Sequence, residues 1–148
     1  MPEQETIDRA REDAREGKSP STQAGEFVRQ EMHHIREGKH GARSTKQAIA
    51  IGLSEARRAG VKLPPPKAAS SATRKKASED SAAGKRGSHK TSARRSRATS
   101  KALKREGHGA ASKSALSRQA KSTAKRRSAA SRSASARRAA KTRAKSSR

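Results

Sequence analysis

Ser44-Thr45-Lys46-Gln47-Ala48-Ile49-Ala50-Ile51-Gly52-Leu53-Ser54-Glu55-Ala56-Arg57-Arg58-Ala59-Gly60, followed by Val61 and then Pro64-Pro65-Pro66, is the stretch whose reading decides the fold. Ser44 and Gln47 have the S-x-x-Q spacing of a capping box, in which a hydroxyl and an amide satisfy the first free backbone groups of a helix. Gly60 is placed to stop that helix, Val61 to pack back over its last turn, and three prolines forbid continuation. The spacing therefore predicts a helix over 44–59. Ala48, Gly52, Ala56 and Ala59 share one face, flanked by Ile49 and Leu53. Side chains this small predict a close approach by a second helix. Lys46, Ala50 and Arg57 fall on the opposite face, which is expected to be exposed.

Working back from Ser44, a helix over 19–37 is expected. It starts either at Ser19 with Pro20 in the first helical position or at Ser21 or Thr22. Ala24, Phe27, Val28, Met32 and Ile35 form its apolar stripe, and Gly38 stops it. Residues 3–16 also favour helix, with Ile7, Ala10 and Ala14 on a thin face, Glu5 and Arg9 paired at i, i+4, and Gly17 as stop. An internal echo runs through the chain. Arg15-Glu16-Gly17-Lys18, Arg36-Glu37-Gly38-Lys39 and Arg105-Glu106-Gly107-His108 are each followed by a Ser and a Gln-Ala step. Shared helix-stop and helix-start chemistry accounts for it, and an old duplicated unit is the alternative.

Charge divides the chain. Residues 1–60 hold 11 Lys and Arg against 10 Asp and Glu, whereas 67–148 hold 26 against three, Glu79, Asp80 and Glu106. The division predicts a helical head over 1–63, a proline hinge at 64–66 and a basic tail over 67–148. The only large apolar residues of the tail are Leu103 and Leu116, and it has no Phe, Tyr or Trp. So little apolar surface does not offset ordering entropy, and the tail is expected to be disordered, or helical only under some conditions. The fold class is all-α. Cysteine is absent, which excludes disulfides, thiolate nucleophiles and Cys-based zinc sites. The longest apolar run, Ala48–Ile51, is far short of a membrane span, and the N-terminus lacks signal-peptide regions. A cytoplasmic location, at the nucleoid, is expected.

The run from Phe27 to Leu63 resembles a small bacterial and phage family of unknown function. Members of that family read roughly M-H-E-F-K-x-G, a Gly/Ser/Lys loop, and then K-Q-A-I-A-I-A-L-S-E-A-R. The chain departs from the pattern at His34-Ile35, where the family has Glu-Phe, and at Gly52, where it has Ala. The resemblance implies bacterial origin and a helical head, and no activity. The tail is similar in composition to histone H1-like basic DNA-binding tails rich in Ala, Lys, Arg and Ser.

A polycation of this density has dense polyanions as partners, and in a cell these are nucleic acids. The residues expected to neutralise phosphates are Lys75, Lys76, Lys85 and Arg86; then Arg94, Arg95, Arg97, Lys101, Lys104 and Arg105; then Lys113, Arg118, Lys121, Lys125, Arg126 and Arg127; and last Arg137, Arg138, Lys141, Arg143, Lys145 and Arg148. In the head, Lys39, Arg43, Lys46 and Arg57 are candidate contacts, and the Gly38–Arg43 loop is a candidate phosphate seat on the free amides of the helix that follows. With one Phe and no Tyr or Trp there is no stacking platform of the kind single-strand binders use, so duplex DNA is favoured and RNA or the ribosome is the alternative. A second alternative makes the head a protein-interaction adaptor and the tail its tether. His33, His34 and His40 invite a metal reading. Adjacent helix positions diverge by about 100°, however, and no spaced acids complete a set, so solvated histidines and no metal or other cofactor are expected. No rigid Ser/His/Asp arrangement exists, and an enzyme is not expected.

Overall fold

Three helix stops of one kind set the architecture of the N-terminal half. In the computed structural model, which describes residues 2–87 and 92–146, the chain forms α1 (Gln4–Arg15), α2 (Pro20–Arg36) and α3 (Thr45–Arg58). At the end of α3 the Val61 amide donates to the Ala56 carbonyl (3.0 Å) and the Gly60 amide to the Arg57 carbonyl (3.1 Å), with Gly60 at φ +98°. This is the Schellman arrangement, which needs the left-handed backbone that glycine adopts without strain. The same pair of bonds closes α2 at Gly38 and α1 at Gly17. Shared stop chemistry thus explains the first two copies of the Arg-Glu-Gly-Lys echo. At Gly107 these bonds are not repeated.

The starts are equally local. Ser19 caps α2 by accepting from the Thr22 amide, with Pro20 at the first position, so the Ser19 reading holds over Ser21 or Thr22. Ser44 Oγ accepts from the Gln47 amide at 3.2 Å. Gln47 Oε1 reaches one residue further back than the capping box expects and accepts from the Arg43 amide at 2.7 Å.

Helices α1, α2 and α3 enclose a small core of Ala10, Ala24, Phe27 and Ala56, with Ile7, Leu53, Val61 and Leu63 packed at its edge. Phe27 and Ile35 are fully buried. The small face of α3 does what its residues predict. A Cβ on Gly52 would sit 2.7 Å from Val28 Cα, so α2 and α3 touch backbone to backbone. Arg57 departs from expectation. It is 7 % exposed, and its Nε donates to the Leu63 carbonyl (3.2 Å) because the chain after Gly60 folds back over that side of α3.

Beyond Pro66 composition predicts disorder in the free chain, and the structure is helical there: α4 (Ser71–Arg86), α5 (Ala93–Lys104), the 3-10 turn Gly109–Ala111, α6 (Lys113–Arg126) and α7 (Ala129–Ser146). Alanine, the best helix former, and Ser70 capping the Thr73 amide supply local reasons for this. The first compact unit also continues past the prolines, from Met1 to Ser112, and the second holds Lys113–Arg148.

In the first unit α4 lies against α3. Ala77 and Asp80 are buried, and a Cβ on Gly84 would meet the Arg57 carbonyl at 2.5 Å. Asp80 accepts from Ser54 Oγ (2.7 Å) and Arg58 Nε (2.9 Å), with Lys76 Nζ at 3.3 Å. Further along, residues 103–111 strap across the α2–α3 loop. The Gly41 amide donates to the Leu103 carbonyl (2.9 Å) and the Ala42 amide to that of Gly107 (3.1 Å). Arg36 Nε donates to the Ala111 carbonyl (2.8 Å), and Thr45 Oγ1 to that of Ala110 (2.7 Å). All secondary structure among the described residues is helical.

Candidate functional site

Exposed cations are concentrated on α5, α6 and α7. α5 carries Arg94, Arg95, Arg97, Lys101 and Lys104 with no acid, and every one of these is exposed. Arg97, Lys101, Lys104 and Arg105 stand at i, i+4, i+7 and i+8, a single stripe, and border a shallow depression with Ser96 and Ser100. α6 repeats the device in its own unit. Arg118, Lys121 and Lys125, at i, i+3 and i+7, line a shallow depression with Ser122 and Arg126, and Lys113 opens the helix. α7 presents Arg137, Arg138, Lys141, Arg143 and Lys145. The small Ser and Ala residues between the cations keep these faces low, so a large anion can approach closely. Like charges at i, i+4, as in Arg97–Lys101, Lys121–Lys125 and Arg137–Lys141, cost each helix about 0.2–0.5 kcal/mol per pair.

The remaining expected contacts separate into available and engaged. Lys75, Lys85 and Arg86 are exposed on α4, whereas Lys76 leans on Asp80. Arg127 lays its guanidinium over the start of α7, donating to the Ser131 carbonyl at 3.0 Å and to the hydroxyls of Ser131 and Ser135. Arg148 lies outside the described residues. In the head, Arg43 and Lys46 are exposed, Lys39 pairs with Glu37 (3.2 Å) and Glu3 (3.3 Å), and Arg57 is buried. Around the turn expected to seat a phosphate, the loop amides of Gly41 and Ala42 bond the strap and that of Arg43 bonds Gln47, while at the start of α3 the Gln47 amide bonds Ser44 Oγ.

A second cluster lies at the end of α2. His33 is exposed, as expected of a surface histidine. His34 and His40 are half-buried and meet edge to face with ring centroids 6.2 Å apart. Between them stands Glu31, 1 % exposed, with Oε2 3.5 Å from His40 Nε2 and Oε1 lacking a hydrogen-bond partner. His40 Nδ1 lies 3.1 Å from the Gly41 carbonyl, and His34 Nε2 lies 3.0 Å from Glu3 Oε1. Burial pushes the Glu31 carboxyl up; the His40 and His34 charges oppose this and the Glu55 charge adds to it. Glu55 is likewise raised by burial. Exposed Glu3 is pulled down to about 2, first by the His34 hydrogen bond and then by Lys39. Glu31 is the acid that sequence reasoning passed over. The available signal was Glu31-x-x-His34, which puts both side chains on one face of a helix.

Residues 17–67 are similar to a family of unknown function, DUF6496. The match covers α2, α3 and the proline run, and encloses Phe27–Leu63. No curated protein and no solved structure matches the chain. No helix among the described residues is long and apolar enough to cross a membrane.

Proposed function

We propose that this chain binds nucleic acid without sequence specificity, duplex DNA in preference to RNA, by neutralising phosphates with the exposed cations of α5, α6 and α7, in the manner of a nucleoid-associated protein. One observation carries the reading: residues 92–146 hold 18 Lys and Arg against the single acid Glu106, arranged as helical stripes. Phe27, the one residue among Phe, Tyr and Trp, is fully buried, so no large aromatic platform for an unpaired base is exposed, which favours a duplex partner. The like-charge pairs give the partner a second role. A polyanion screens the repulsion along these helices, so DNA stabilises them, and circular dichroism reads the gain in helix.

Binding by counterion release makes log affinity fall linearly with log salt, with a slope near −0.9 per phosphate. An array of this size engages roughly 8–12 phosphates at once, giving a slope of about −7 to −11. Fluorescence anisotropy on two unrelated duplexes and one structured RNA, from about 50 to 400 mM salt, tests the reading. A steep slope shared by both duplexes is expected. A shallow slope with a hundredfold preference for one duplex overturns nonspecific binding, and tighter binding of the RNA overturns the preference for DNA.

A further inference from the structure

We infer that Glu31, His34 and His40 form a binding site for a divalent transition-metal ion of the zinc class, independent of the basic helices. One ligand atom from each residue lies within 4.8 Å of the others. Tetrahedral zinc, with bonds of about 2.1 Å, spaces its ligands about 3.4 Å apart. Glu31 Oε2 and His40 Nε2, at 3.5 Å, already have that spacing. The hydrogen bonds behind the rings are those a metal-binding histidine needs. The Gly41 carbonyl can only accept, so His40 Nδ1 carries a hydrogen, and in the neutral ring that binds a metal Nε2, facing Glu31, holds the lone pair. The Glu3 carboxylate likewise accepts from Nε2 of His34, so in the neutral ring Nδ1 is the nitrogen with a lone pair to offer a metal. A ring held by a carbonyl or carboxylate in this way is the usual support of a metal-bound imidazole.

Glu31 supplies the independent observation. A carboxylate 1 % exposed, with His40 3.5 Å from Oε2 and no hydrogen-bond partner on Oε1, is a costly charge to keep, and a cation bound beside it neutralises that charge. Two imidazoles and one carboxylate suit Zn²⁺ and its neighbours, whereas Mg²⁺ and Ca²⁺ require shells made mostly of oxygen. Three protein ligands also leave a fourth position for water or another donor. The ion joins α2, which carries Glu31 and His34, to the α2–α3 loop, which carries His40. That loop is the one under the strap.

The test uses the full chain. Zinc chloride is titrated near neutral pH by calorimetry, and cobalt chloride is followed by its visible absorption, which reports coordination geometry. Saturable binding of one ion per chain is expected, with His40→Ala and Glu31→Gln each weakening it by at least about tenfold and His33→Ala leaving it unchanged. Circular dichroism checks that each variant keeps its helices. His40 sits on the loop, so His40→Ala decides the matter even if Glu31→Gln disturbs α2. Absence of saturable binding, or binding unchanged in both His40→Ala and Glu31→Gln, overturns the site. DNA affinity is expected to be the same in all variants, so failure here leaves the nucleic-acid reading standing, and the converse holds.

Discussion

Gly41→Ala probes whether the strap belongs to the head. A Cβ at position 41 would stand 2.0 Å from the Glu106 carbonyl oxygen, 2.4 Å from its carbon and 2.7 Å from the Gly107 oxygen. All three obstacles are backbone, so no side chain can swing aside and the strap must lift. Overpacking of this sort costs about 1–3 kcal/mol, and the upper end applies where the obstacle is rigid. About 3 kcal/mol corresponds to roughly a hundredfold shift from docked to undocked. Three neutral hydrogen bonds and the Arg36 bond to Ala111 are lost with it, each worth about 1–2 kcal/mol. The assay is native-state amide exchange by NMR. The amides of residues 41 and 42, which donate to the strap, are expected to lose about a hundredfold in protection. The amides of α2 and α3 around Phe27 and Ala56 are expected to keep theirs, because the strap is not part of that core. Unchanged exchange at 41 and 42 would refute the docking, and loss of protection throughout the head would refute its separateness from the core.

Three more expectations follow from the packing. Phe27→Ala removes the largest fully buried side chain and is expected to cost about 3–5 kcal/mol, most of the reserve of a domain this small, read as a fall in the urea midpoint. Gly52→Ala gains about 1 kcal/mol of helix propensity but must push α3 off the Val28 backbone, so a net loss of stability is expected, and a rise in melting temperature would show that the helices separate easily. Asp80 sits low although burial alone would raise it, because hydrogen bonds from Ser54 and Arg58 and the Arg58 charge outweigh that burial. The stabilisation from a lowered carboxylate is present above its ordinary value of 3.8 and disappears as pH falls through the lower folded value. Protection of the α4 amides is therefore expected to drop in that acid range in the native chain, and to be lower and flatter with pH in Asp80→Asn.

The elements legible in the sequence are those set by neighbours within one helical turn. Ser19, Ser44 and Gln47 mark starts, Gly17, Gly38 and Gly60 mark stops, and each acts through backbone groups three to five residues away. The stripe of α2 was legible for the same reason: Ala24, Phe27, Met32 and Ile35 are all buried. Arg57 was misread because helical phase locates only the principal neighbour, and α3 has others, with Val61–Leu63 returning over one side and α4 docking on another. The contacts of Asp80 with Ser54 and of Gly41 with Leu103 join residues far apart, and composition carries no trace of either. The histidine cluster lies between these cases. Glu31 and His34 share a helix face by simple spacing, and His40 comes back to them only through the reversal at Gly38.

The strap also has a place in time. Arg36 and Thr45, which flank the α2–α3 loop, leave the ribosome 75 and 65 residues before the carbonyls they bond, those of Ala111 and Ala110. At synthesis rates of roughly 5–20 residues per second, that interval is about 3–15 s. Three helices of short loops assemble far faster than this. Every newly made chain therefore passes through a stage in which the head is folded, the Gly41 and Ala42 amides face water, and most of the positive charge has yet to emerge. Closure of the strap records that translation has passed α5.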